Sequence, residues 1–202
     1  MFIQEIEGKV SDPSALRAQI ERWRDELSSG AIGWQGTTAG VTDDGQFFAA
    51  ARFESEEAAR RNSDRPEQGQ WWEQVSKLFE GEATFRESSD VDVDLRGNPD
   101  EAGFVQVIKG RTTDPQRARQ LMKQDEDTWA SFRPDVLGSV AINHEGGAYT
   151  MVIYFTSEAE AREGERKEPP AEMKAVMEEM SSLEAGQPSF LDIRDPWLSS
   201  AT

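Results

Sequence analysis

The sequence is two copies of one pattern. Shifted by 102 positions against itself, Phe2, Gln4, Ile6, Gly8, Asp12, Pro13 and Arg17 meet Phe104, Gln106, Ile108, Gly110, Asp114, Pro115 and Arg119. Further on, Gly36, Ala39, Gly45, Phe53, Ser55, Glu56, Ala59 and Arg60 meet Gly138, Ala141, Gly147, Phe155, Ser157, Glu158, Ala161 and Arg162. Chance would scatter such matches. Here they fall at turns, helix starts and apolar positions, where backbone geometry restricts the residue. Each half must therefore build the same supersecondary unit, and the expected domains are residues 1–96 and 104–202. The polar, turn-rich stretch Arg96-Gly97-Asn98-Pro99-Asp100 serves as the linker.

Within each half the order of elements can be read from periodicity. Residues 2–10, FIQEIEGKV, are strand-like, and Asp12-Pro13 opens a helix with Asp as N-cap and Pro at the first helical position. Leu16, Ile20, Trp23 and Leu27 form its apolar stripe. A hairpin follows, IGWQGTTAGV and QFFAAARF, turned at Thr42-Asp43-Asp44-Gly45. Ser55 caps a second helix that is interrupted near Asp64-Arg65-Pro66 and resumes as WWEQVSKLF. A last strand falls within 83–95, where Val91, Val93 and Leu95 alternate with aspartates. In the second half, Ser157 and Glu160 have capping-box spacing.

The order βαββαβ is that of the ferredoxin-like unit, an α+β fold in which two helices cover one face of an antiparallel sheet. The strands carry apolar residues on both faces: Val105 and Val107 oppose Phe104 and Ile108, and Phe48 sits beside Phe47. A sheet with one wet face would alternate more cleanly. The expectation is two tandem units packed sheet to sheet as a pseudo-twofold α+β barrel, an intrachain pseudo-dimer.

That order of elements, with FESEEAARR (53–61) and FTSEAEAREG (155–164) after the third strand of each half, resembles the antibiotic biosynthesis monooxygenase-like group of dimeric α+β barrel proteins. The resemblance spans nearly the whole chain, twice, and its short segment is a capped helix start. It implies a ligand cavity between the sheet and helices of one unit. It also implies activities that include cofactor-free, quinone-forming oxygenation and haem degradation.

Composition removes several classes. With 39 acidic against 22 basic residues the net charge is −17, a field that repels nucleic-acid phosphates and anionic lipid, so no nucleic-acid or membrane partner is expected. There are no cysteines, which excludes disulfides, thiolate metal sites and Cys nucleophiles. A signal peptide and long apolar runs are lacking, so a cytoplasmic location is expected. His144, the single histidine, precedes a hairpin turn and reads as an exposed turn residue. No metal site and no cofactor are expected.

Cofactor-free oxygenation of an aromatic ring needs an apolar pocket and polar groups that hold the developing anion. The first half offers Trp34, Arg52, Asn62 and Trp72, with Gln4 as a polar residue inside an apolar row. Core packing for the tryptophans and an ion pair for Arg52 are the competing reading. Gln4 and Gln106 repeat in both copies, which fits a cross-strand hydrogen bond as well as it fits ligand contact. Asp125 falls where Trp23 stands in the first copy, either as a desolvated base or within the exposed run Gln124–Asp127. The second half has Tyr154, Gly164 and Lys174 opposite Arg52, Asn62 and Trp72, so the first half is the expected site. The function expected is that of a cofactor-independent monooxygenase acting on small aromatic or polyketide-like substrates. The alternative is a non-catalytic, small-molecule-binding or structural α+β barrel protein.

Overall fold

The computed structural model describes residues 1–124 and 126–201, with Glu126 and Asp127 described by backbone alone. Residues 1–91 and those from Asp195 onward form one compact unit, and residues 92–194 form a second.

In the first unit, β1 (Phe2–Lys9) leads into α1 (Pro13–Arg22), which continues through a wider π turn over Trp23–Leu27. The hairpin β2 (Trp34–Val41) and β3 (Gln46–Phe53) follows, then α2 (Glu56–Ser63), α3 (Pro66–Val75) and β4 (Thr84–Ser88). The second unit repeats this after β5 (Val91–Leu95): β6 (Phe104–Arg111), α4 (Pro115–Met122), α5 (Glu126–Phe132), β7 (Val136–Asn143), β8 (Ala148–Phe155), α6 (Glu158–Arg166), α7 (Ala171–Ser182) and β9 (Ser189–Ile193). Strand β10 (Trp197–Ser200) closes the series.

The helix starts fall where the sequence puts them. Asp12 accepts from Ala15 N–H and Asp114 from Arg117 N–H, both at 2.9 Å, each satisfying one of the donors a helix start leaves open. Ser55 and Ser157 cap α2 and α6 from the equivalent position. The interruption at Pro66 is real: α2 stops at Ser63 and α3 restarts with Pro66 in its first turn.

Each unit is ferredoxin-like, with strand order β2-β3-β1-β4 in the first and β7-β8-β6-β9 in the second. Each sheet also gains a fifth strand beside its hairpin. β10 pairs with β2, and β5 lies beside β7. The sequence pattern assigns 91–95 to the first half and 197–200 to the second, whereas hydrogen bonding assigns each to the other sheet. Alternation specifies a strand and leaves its partner open.

Gly36 and Gly138 show why the repeat keeps glycine at these positions. Both sit at a bulge in the strand that receives the fifth strand, with φ of 145° and 158°. A Cβ at Gly36 would lie 2.6 Å from the Ser199 carbonyl oxygen, and one at Gly138 would lie 2.6 Å from that of Asp94. Arg17 and Arg119, also repeat equivalents, hold the incoming strands by ion pairs to Asp195 and Asp92 respectively.

The first unit's core lies between helices and sheet. It is built on Phe2, Leu16, Trp23, Trp34, Phe47, Phe53, Trp71, Val75 and Phe79. The opposite sheet face is buried too, through Ile3, Glu5, Thr38, Phe48 and Ala50 in the first unit and Val105, Val107, Thr150, Val152 and Tyr154 in the second. No helix among the described residues is long and apolar enough to cross a membrane.

Candidate functional site

A cavity of about 60 Å³ lies inside the first unit, between its sheet and its helices. Its walls are largely aromatic: Trp23 from the π turn, Trp34 from β2, Phe47 and Phe53 from β3, Trp71 and Trp72 from α3. The rings pack on one another. Trp23 meets Trp34 edge to face at 5.2 Å between centroids, Trp71 and Trp72 lie 6.1 Å apart, and Trp72 meets Phe85 of β4 edge to face at 5.0 Å. Strand alternation puts Phe47, Ala49, Ala51 and Phe53 on the cavity side of β3. Their spacing of two is that of one pleated face.

Three indole N–H groups are bound within the protein. Trp23 Nε1 donates to Gln68 Oε1 at 2.6 Å, Trp34 Nε1 to Thr37 Oγ1 at 3.0 Å, and Trp71 Nε1 to the Gln19 carbonyl at 2.8 Å. These tryptophans therefore offer the cavity hydrocarbon surface and π-faces.

Asn62, from the last turn of α2, is the buried polar side chain in this wall, at 6% exposure. Its Oδ1 accepts from Arg65 Nη1 at 3.0 Å, and the same nitrogen donates to the Leu27 carbonyl at 3.1 Å. Arginine only donates, so this contact fixes the amide orientation. The Nδ2 group has no acceptor among the described residues. At the rim, Arg24 is exposed and bonded to Asp25; that bond raises the Arg24 pKa and lowers the Asp25 carboxyl.

Four of the five residues singled out from sequence, Gln4, Trp34, Asn62 and Trp72, line this one cavity. Arg52 does not. It alternates with Ala51 and Phe53, so it lies on the other face of β3 beside Ala50 and Phe48, where Nη1 donates to Thr38 Oγ1 at 3.0 Å. An arginine among apolar strand residues has no periodicity of its own, and the correction follows from the phase of its neighbours. Gln4 has a structural task as well. It stands opposite Glu87 and donates to it at 2.8 Å, as Gln106 stands opposite Asp192 and donates to it at 3.0 Å. That shared cross-strand bond accounts for the repeated glutamine.

Trp23, Gln68 and Ser199 also line the cavity. Trp23 was legible as core from the α1 stripe. Gln68 gave no signal, and Ser199 depends on the exchanged strand. Asp125, the position equivalent to Trp23, lies outside the described residues.

The second unit treats the same place differently. Gly164 replaces Asn62, and a Cβ there would stand 2.7 Å from Arg133 Cζ. Arg133 fills that space, paired with Asp135 at 2.7 Å and set over the Phe155 ring at 5.6 Å. Both partners are largely buried, at 16% and 6% side-chain exposure. Tyr149, equivalent to Phe47, donates to Glu184 Oε1 at 2.6 Å. Helix α7 starts at Ala171 where α3 starts at Pro66, an offset of 105. The ungapped alignment of Trp72 with Lys174 is therefore three residues out of phase. His144 is half-buried at the β7–β8 turn of this unit, its backbone N–H bonded to the Ala148 carbonyl at 2.8 Å. It is less exposed than the sequence implies and lies outside the aromatic cavity. The described residues contain no cluster of three metal-ligating side chains.

Two tandem ferredoxin-like units make an α+β fold that solved structures share. A protein from Lactobacillus acidophilus NCFM named "putative monooxygenase" aligns over 98% of this chain and 99% of its own, with a TM-score of 0.74 at 12% identity. One of the same name from Fusobacterium nucleatum subsp. nucleatum aligns over 98% and 94%, with a TM-score of 0.75 at 9% identity. An "anthrone oxidase-like protein" aligns over 98% and 93%, with a TM-score of 0.61 at 11% identity. No protein-family model and no curated protein matches the sequence. The likeness is therefore one of fold. At that level the chain shares the architecture of these three proteins over nearly its whole length.

Proposed function

We propose that the first unit binds a small hydroxylated aromatic ring and that the protein acts on it as a cofactor-independent monooxygenase. The observation that carries this reading is Asn62: a buried amide, its carbonyl end held by Arg65 and its NH₂ without an acceptor among the described residues, in the wall of a cavity lined largely by tryptophan and phenylalanine. A buried donor wants an acceptor. A planar ring bearing a phenolic oxygen supplies one while stacking on the aromatic walls. The Asn62 N–H then stabilises the phenolate that forms as the ring reacts, as an oxyanion-hole donor does. At about 60 Å³ the cavity is smaller than the roughly 150 Å³ that takes a benzene ring, so a single ring enters only as the aromatic walls part, and a fused polycycle fits worse still.

The overall conversion is phenol plus dioxygen to quinone plus water. One oxygen atom enters the ring as a second carbonyl, and the other leaves as water with two hydrogens from the phenol. The electrons come from the ring itself, so no separate reductant is required.

A second reading, binding without turnover, is favoured by the lining itself, in which the described residues include no carboxylate or imidazole. Resorcinol separates the two. Titration followed by Trp fluorescence, alongside an oxygen electrode, should show saturable quenching and oxygen uptake, both lost in Asn62→Asp. Quenching without uptake would favour the binding reading, and neither signal would reject both.

A further inference from the structure

We infer that the exchanged strand β10 supplies a ligand-contacting residue, Ser199, which selects rings that carry a second oxygen substituent. The inference rests on the ring-binding reading of the first cavity and extends it to the side away from Asn62.

Residues from Asp195 onward belong to the first unit, although the repeat pattern places them after the second. Trp197, Leu198, Ser199 and Ser200 pair antiparallel with Ala39, Thr38, Thr37 and Gly36. Directly opposed residues on neighbouring strands point to the same sheet face. Trp197 opposite Ala39 is on the helix side, where its ring lies 6.2 Å from the cavity residue Phe47. Ser199, two residues on, shares that face with Thr37, and both line the cavity.

The two hydroxyls form a polar edge in an aromatic wall. Thr37 Oγ1 accepts the Trp34 indole N–H at 3.0 Å, which leaves its own proton to donate. Ser199 Oγ is half-buried and has no hydrogen-bond partner among the described residues. Asn62 comes from α2 and Ser199 from the sheet, so the cavity has a polar group on each of two walls. A ring with one oxygen satisfies Asn62 alone, whereas a dihydroxy ring engages both.

The strand is held firmly enough to act as a wall. Arg17 ion-pairs with Asp195 and sits 5.9 Å over the Trp197 ring. Ala201 N–H donates to the Gln35 carbonyl at 3.3 Å. Gly36 is bare where the Ser199 carbonyl approaches.

Calorimetric titration of the full chain with resorcinol and with phenol tests this. Ser199→Ala should weaken resorcinol binding about fivefold to tenfold, the usual effect of deleting one hydrogen bond, and leave phenol within about twofold. Ser199→Phe should fill the cavity and abolish binding of both, with the thermal midpoint retained. Ser199→Ala affecting both ligands equally, or neither, would overturn the assignment, as would binding that survives Ser199→Phe. Wild-type protein that binds neither ligand would defeat the ring-binding reading itself, and this inference with it.

Discussion

Arg65 Nη1 donates to Asn62 Oδ1 at 3.0 Å, and this one contact fixes which end of the Asn62 amide is the carbonyl, leaving the NH₂ as its unbonded end in the wall of the aromatic cavity. Replacing the oxygen's partner atom tests its role without changing shape. Asn62→Asp keeps an acceptor for Arg65 but turns an acceptor, in place of a donor, toward the ligand. We expect the fold to persist and affinity for phenolic rings to fall by at least tenfold, about 1.4 kcal/mol. Asn62→Ala should cost about 1 kcal/mol of affinity, measured by calorimetry, with far-UV circular dichroism unchanged.

In the second unit the corresponding space belongs to the Arg133–Asp135 pair, and its role is structural. Removing one member of a largely buried pair strands the other, at a cost of roughly 3–5 kcal/mol. Arg133→Ala should therefore lower the thermal midpoint markedly while ring affinity stays as in the wild type. A large loss of affinity in the folded variant would mean that the second unit takes part in binding.

Tyr149 predicts a pH dependence. Burial first, then the hydrogen bond to Glu184 and that carboxylate's charge, raise the phenol above its ordinary value. A raised folded-state pKa stabilises the fold below the unfolded value of about 10. That stability is lost as pH climbs from there toward the folded value, because the unfolded chain releases a proton that the folded chain keeps. Tyr149→Phe should cost about 1 kcal/mol near neutrality, and the gap from wild type should narrow above about pH 10. Chemical denaturation across pH reads this directly.

The strand exchange predicts unusual sensitivity at two glycines. Gly36→Ala and Gly138→Ala each place a methyl group against an incoming carbonyl oxygen at a positive φ, at an expected cost of about 1–3 kcal/mol. Asp195→Ala, by contrast, removes an ion pair whose carboxylate is 74% exposed. It should change stability by less than about 1 kcal/mol.

Much of this was written in the sequence because it rests on local geometry. The Asp12 and Asp114 caps, the Pro66 restart and the hairpin turns follow from residues that only certain backbones accept. Trp34, Asn62 and Trp72 were legible because aromatic and amide side chains of the first half are replaced in the second, and Gln4 because it is a polar residue inside an apolar row. Arg52 was misplaced by one step of strand phase, which no single charged residue reveals. Ser199 was invisible for a different reason: the pattern marks no strand at 197–200, and 91–95 reads as the last strand of its own half. Only hydrogen bonding to Ala39 and Thr37, more than 150 positions earlier, shows where β10 belongs.

The central claim is that a duplicated chain keeps one ring-binding cavity, in the first unit, organised by Asn62. Stoichiometry tests it most directly. Calorimetric titration with resorcinol should give one site per chain, and Asn62→Asp should remove that site. Two equivalent sites per chain, or a single site indifferent to Asn62→Asp, would contradict the account.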